Sequence, residues 1–344
     1  MKFKNGLKKV NIAIVIRKSN LGIELLRTIL CFWVISFHYV KKKKIHYFFY
    51  YIIRKKLFHV PCFSFISFYF SYNIFFHRNI TKFKQRIKRL LIPYIIWPLF
   101  TFIIDNFCLI RKINFYKLVM QILLGSQFMI HFWYLFSMIF MTLFLFIFSN
   151  LINLIKCNFL FIIQIKCFIL FYLQYSQLSK FLYAYNKNIR YSLLYTFEIF
   201  PTLLFGLIFG SSKIIHDVTI QNNKKKVIFL SFLSIFCFFK LEIFINIGSY
   251  KGVEKSLISL LFFISFYLLP FENISNLYYR IIKQITNYTN GIYCLQSEMI
   301  PLINKIISLN GNLKGVSIIY LLSYFISFVG NLIFGKTILK YLFI

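Results

Sequence analysis

The chain has 344 residues, 59% of them hydrophobic, 22% aromatic and only 14% charged, with a net charge of +33. A soluble domain carries about a quarter charged residues, so this inventory cannot clothe a water-soluble surface, and a chain this apolar is not disordered. A large basic excess in a soluble protein would point to nucleic acid; here Lys and Arg punctuate apolar runs as membrane-flanking residues do, and no nucleic-acid partner is expected.

A membrane-spanning helix needs about 20 mostly apolar residues. In chain order, ten stretches qualify: 21–40, 57–77, 90–110, 130–151, 159–174, 192–211, 227–246, 256–270, 290–307 and 317–341. The fold class is therefore all-α, a polytopic membrane helix bundle of about ten transmembrane helices with no soluble domain. Residues 1–20 read as a basic N-terminal segment and residues 21–341 as the transmembrane domain. The first stretch is too long for a cleaved signal peptide, and no small-residue cleavage site follows it. Basic residues favour the loops that lie inside when the N-terminus is inside, although the Lys41–Lys44 run falls on the other side. Both termini are then cytoplasmic, and the expected location is the cell membrane.

Seven Cys are scattered without a Cys-x-x-Cys pair. They read as small hydrophobes, with no disulfide framework and no metal site. His46, His59, His77 and His216 read as interface residues. Gly206 and Gly210 form Gly-x-x-x-Gly, the spacing of a close helix–helix approach.

Charged residues at membrane depth carry the functional signal, because burying them in hydrocarbon is costly unless they face a bundle interior. The first span holds Glu24, Arg27 and His38. At 100° per residue, Arg27 and His38 are offset by only about 20° and Glu24 falls within about 60° of both. They form one polar stripe, with Cys31 on it. Arg27 and His38 lie about 16 Å apart along the axis, so they line one path rather than share one small centre. Glu24 and Arg27, at i and i+3, are placed to pair. The alternative is that Arg27 snorkels to the interface and His38 is simply interfacial.

Several segments resemble, in order, the acyltransferase family 3 membrane proteins. GIELLRTILCFWVISFHYV at 22–40 is similar to that family's first span, with Arg, ten residues, then His; Arg27 and His38 match. FSFISFYF at 63–70 resembles its second span, and KFKQRIKRLLIPYIIW at 82–97 its Arg-x-x-Arg-x-x-x-Pro-Tyr segment. HFWYLFSMIF at 131–140, FPTLLFGLIFG at 200–210 and TNGIYCLQ at 289–296 resemble its later segments. Two positions depart: Phe68 stands where the family has Gly, and Gln296 where it has His.

The resemblance implies O-acyl transfer, usually acetyl, from a cytoplasmic acyl-CoA such as acetyl-CoA to a hydroxyl of an extracytoplasmic glycan or lipid-linked sugar. No permanently bound cofactor is implied. His38 suits the general base, the task for which His is the commonest residue near neutral pH, or a transient acyl carrier; Arg27 and Glu24 complete the catalytic stripe. CoA is a polyanion, and Lys82, Arg86 and Arg89 stand at the expected cytoplasmic edge to bind it. Arg fits phosphate through its planar donor fork, whereas the plain alternative for this cluster is a topology signal. His131, Trp133, Glu198 and Glu242 are candidates for acceptor binding. The competing readings are a catalytically degenerate family member and a polytopic glycan or lipid transporter, although the paired repeats and broken helices of transporters are not evident.

Overall fold

The computed structural model describes residues 21–41, 50, 59–107, 113–125, 132–154, 187–211, 251–267, 269, 275–307 and 312–343. Every regular element among them is helical: α1 (Leu21–Tyr39), α2 (His59–Tyr69), α3 (Tyr72–Phe76), α4 (Ile80–Phe107), α5 (Phe115–Leu124), α6 (Trp133–Leu154), α7 (Lys187–Ser211), α8 (Lys251–Tyr267), α9 (Asn276–Asn287), α10 (Thr289–Ile307) and α11 (Leu313–Phe334), followed by a 3-10 turn at Ile338–Leu342. Among the described residues, four helices are long and apolar enough to cross a membrane: Leu21–Tyr39, Ile80–Phe107, Trp133–Leu151 and Leu313–Phe334. The segment 1–20 and the expected spans at 159–174 and 227–246 lie outside the described residues.

The largest differences from the sequence expectation are three, each with a local reason. The basic stretch before residue 90 is not a loop but the opening of α4, started by the Asn79 side chain accepting the Lys82 amide at 2.9 Å, an N-cap. Lys, Arg and Gln are strong helix formers, so the apolar span simply extends backward. With 28 residues, α4 is about 42 Å long, more than the roughly 30 Å hydrocarbon thickness, and its basic turns have room to project.

The expected span 57–77 is two helices, α2 and α3. The Ser67 carbonyl accepts from the Ser71 hydroxyl at 2.7 Å and from Arg86 at 3.3 Å. The Ser71 amide bonds to Phe68 instead, at 3.0 Å, and the helix breaks there.

At the other end of the chain, α11 stops at Phe334, and the 3-10 turn returns along α4, where Trp97 donates to the Leu342 carbonyl at 3.4 Å. Two segments read as loops also contain helices. α5 is held by Asn114 at its start and by left-handed Gly125 at its end, and the amphipathic α9 is capped by Ser275.

The bundle closes where small residues permit it. A Cβ on Gly206 would stand 2.5 Å from the Phe65 carbonyl oxygen, and one on Gly210 2.5 Å from that of Tyr69. The Gly-x-x-x-Gly face of α7 therefore packs directly on the α2 backbone. Around that seam, Phe65, Phe263 and Tyr69 join α1, α2 and α8 in one core, while Phe68, Phe75, Met138 and Leu203 join α2, α3, α6 and α7 in another. A third core ties α1 to α10 and α11 through Cys31, Ile35, Ile292 and Ile319. α1 thus lies at the centre of the bundle, flanked by α2, α8, α9, α10 and α11.

Candidate functional site

A cavity of about 590 Å³ opens among α1, α2, α4, α6, α9 and α10. Four cations line it: Arg27 from α1, and Lys82, Arg86 and Arg89 from α4. Among the described residues, no Asp or Glu is on its wall. The three α4 residues recur at i, i+4 and i+7, one helix face. Ser67, Ser71, Thr286, Asn287, Thr289 and Asn290 add neutral polar groups, and Phe63, Ile66, Leu135, Met138, Tyr134 and Tyr293 make the remaining wall apolar and aromatic. The site is therefore cationic on one side and greasy on the other.

Arg27 is held on two sides. Its guanidinium meets Glu24 at 3.3 Å, as the i, i+3 spacing predicts, and donates to the Thr289 hydroxyl at 2.9 Å. Thr289 in turn donates to the Thr286 carbonyl at 2.9 Å, and Thr286 to the backbone of Glu24 at 3.3 Å. Cys31, one turn further along α1, donates its thiol to the Thr289 carbonyl at 3.4 Å. The polar stripe is thus the seam between α1 and the α9–α10 junction.

Arg86 is held more completely. Its Nε donates to Thr142 at 3.0 Å. One terminal nitrogen donates to the Ser71 hydroxyl at 2.6 Å and the Ser67 carbonyl at 3.3 Å, and the other to the Ser67 hydroxyl at 3.0 Å. An Arg has five N–H groups, so one is left over. Arg86 brings positive charge to the cavity wall, but its donor fork is already engaged by the protein. Arg89 and Lys82 are exposed, and neither side chain forms a hydrogen bond or ion pair among the described residues. They are the cations with donors to spare.

Residues 20–336 match the family model described as an acyltransferase domain. The chain belongs to this family, acyltransferase family 3. No curated protein and no solved structure matches it. The match spans nearly the whole chain, and together with the apolar helices it makes the protein an integral membrane acyltransferase. The cationic cavity thus lies inside an acyltransferase domain, and its walls are built from segments far apart in that domain.

The structure groups the expected acyltransferase residues differently from the linear pattern. Arg27 joins Lys82, Arg86 and Arg89 at the cavity, whereas His38 sits in the last turn of α1, exposed and off the cavity wall. Its ring meets Phe37 edge-on at 5.1 Å, and Phe37 also meets the His59 ring, tilted, at 5.5 Å. His59 is only 3% exposed, so it is a packed residue rather than the interfacial one expected from the sequence. Trp133 opens α6 and packs against the core that contains Phe68 and Leu203. His131, Glu242 and the side chain of Glu198 lie outside the described residues.

Both departures from the family pattern are buried. Phe68 is fully buried, stacked on Phe75 with its ring centroid 5.8 Å away and 2° between the planes, and the Arg86 guanidinium carbon lies over its face at 4.7 Å. Gln296 is 1% exposed, its amide makes no hydrogen bond among the described residues, and it is not on the cavity wall. Sequence reasoning missed the hydroxyls that seat the cations, Ser67, Ser71, Thr142 and Thr289, and the cavity tyrosines Tyr134 and Tyr293. Ser67, Tyr134, Thr289 and Tyr293 lie inside the family-like segments at 63–70, 131–140 and 289–296, and Ser71 and Thr142 just past the ends of the first two.

Proposed function

We propose that this protein transfers an acyl group, in the first instance acetyl, from cytoplasmic acyl-CoA to a hydroxyl of an extracytoplasmic glycan or lipid-linked sugar. The observation that carries this reading is the cavity whose described wall has four cations and no acid. Such a wall holds a polyanion, and the phosphates of CoA are the polyanion an acyltransferase meets. Arg89 and Lys82 contact the phosphates directly, Arg86 supplies fixed positive charge, Arg27, paired with Glu24, borders the site from α1, and the apolar wall with Tyr134 and Tyr293 receives the pantetheine arm.

His38 is the general base. It takes the proton of the acceptor hydroxyl as the oxygen attacks the thioester carbonyl; a C–O bond forms, the C–S bond breaks, and His38 returns the proton to the departing sulfur, which leaves as the CoA thiol. Arg27 and His38 stand about 16 Å apart along α1, so the donor binds extended, with its phosphates at the cations and its thioester reaching toward the His38 end. This division assigns Arg27 to donor binding rather than to proton transfer.

The test is transfer of labelled acetyl from acetyl-CoA in membranes containing the protein, together with surface-glycan acetylation in cells with and without the gene. No label on any glycan or lipid-linked sugar, with the protein inserted, overturns the reading. Orientation is tested separately by Lys84→Cys in intact cells. A membrane-impermeant thiol reagent is expected to leave this position unlabelled, and labelling from outside would remove the cytoplasmic donor site.

A further inference from the structure

We propose that Phe68 is the positioning residue for Arg86, holding the guanidinium at the cavity wall by a cation–π contact. Arg86 is the most heavily engaged of the four cavity cations, and its surroundings have two parts. The hydroxyls of Ser67, Ser71 and Thr142 take its N–H groups, and the Phe68 ring lies against its carbon, 4.7 Å from ring centroid to Cζ. The hydroxyls are local anchors: Ser71 is tied to the Ser67 carbonyl and Thr142 to the Met138 carbonyl. The ring is fixed by packing: Phe68 is 0% exposed and lies nearly parallel to Phe75.

The electrostatics fit the role. The face of an aromatic ring is negative and attracts a cation, more strongly where water is excluded. No carboxylate lines the cavity among the described residues, and the ring face offers Arg86 negative potential without the full charge of an acid. A carboxylate in its place would pair with Arg86 and cancel the charge presented to an anionic ligand. An aromatic face holds the cation and leaves its charge uncompensated. Phe68 therefore sets both where Arg86 stands and how much positive potential the cavity keeps. Its effect on acyl-CoA affinity rests on the function proposed above; its hold on Arg86 does not.

The experiment replaces Phe68 with mono-, di- and trifluorinated phenylalanines, which nearly keep the shape of the ring while draining its face of electron density, and with Leu, which removes the ring. Two quantities are read. The first is the rate at which phenylglyoxal modifies Arg86 in membranes, followed by mass spectrometry of the Arg86 peptide, with no substrate present. The second is the KM for acetyl-CoA against kcat.

Phenylglyoxal modification is expected to quicken stepwise with fluorine number, about 3- to 10-fold in total. KM should rise by a similar factor while kcat stays within about twofold, the scale of a partly desolvated cation–π contact. An Arg86 modification rate indifferent to fluorination, even if Phe68→Leu lowers stability, overturns the inference and reduces Phe68 to packing. A modification rate that responds while the acetyl-CoA KM does not move upholds the hold on Arg86 and counts against the donor site instead.

Discussion

The Arg27 guanidinium and the Thr289 hydroxyl, 262 positions apart in the chain, are joined by a 2.9 Å hydrogen bond. This contact fixes α1 against the start of α10 and brings Arg27 to the same cavity as the α4 cations. Arg27→Gln is expected to raise the KM for acetyl-CoA by about 10- to 150-fold, the range for losing a charge-assisted hydrogen bond of roughly 1.5–3 kcal/mol. Thr289→Val should raise it by a smaller factor, because the charge remains but loses its seat. Thr289→Ser, which keeps the hydroxyl, should restore the wild-type value. Steady-state kinetics with labelled acetyl-CoA decide this, and equal KM values for Val and Ser would remove the role of the hydroxyl.

Arg86 and Arg89 share a helix face but not a role. Arg86→Gln leaves the hydroxyls of Ser67, Ser71 and Thr142 without their shared donor, so it should lower stability by about 1–3 kcal/mol, seen as earlier thermal unfolding in detergent. Arg86→Lys should not rescue it, because a single ammonium cannot reproduce a planar fork holding several acceptors. Arg89→Gln should leave the unfolding temperature unchanged and weaken acetyl-CoA binding. The reverse pattern would interchange the roles assigned to the two residues.

His38 should affect turnover and not donor binding. His38→Ala is expected to reduce acyl transfer by roughly 100-fold or more with acetyl-CoA binding unchanged, since the residue lies off the cavity wall. His38→Gln, polar and similar in size but unable to take the proton, should be nearly as inactive. A base must be neutral to accept a proton, so the wild-type rate should fall as the pH is lowered and the imidazole becomes charged. Retention of most of the rate by the Gln variant would exclude proton transfer at this position.

Gly206 is a packing residue. With a Cβ placed 2.5 Å from a backbone oxygen, Gly206→Ala must push α7 off α2, at roughly 1–3 kcal/mol for overpacking. Thermal unfolding in detergent should move down, while the acetyl-CoA KM of the folded fraction stays at the wild-type value. An unshifted unfolding curve would mean that the α2–α7 seam is looser than its geometry indicates.

The helical class and the membrane setting were legible in the composition, because no other solvent accepts so many apolar residues, and the Glu24–Arg27 pair was legible because spacing on one helix is a local property. The ends of α4 and α2 were not. The start of α4 turns on one Asn cap, and the end of α2 on an Arg from another helix competing for the Ser67 carbonyl.

The grouping of the cations belongs wholly to the tertiary structure. Along the first span, Arg27 and His38 share a face and read as partners. In the folded protein Arg27 belongs with Lys82, Arg86 and Arg89, because α9 and α10 close over the N-terminal half of α1 and tie it down through Thr286 and Thr289. Phe68 carries the same lesson: in the sequence it is a departure from the family pattern, and only its stacking on Phe75 beneath Arg86 gives it a part in the site. Helical periodicity fixes which residues share a face, but which faces meet is decided by packing between segments hundreds of residues apart, where burial and hydrogen bonding are satisfied together.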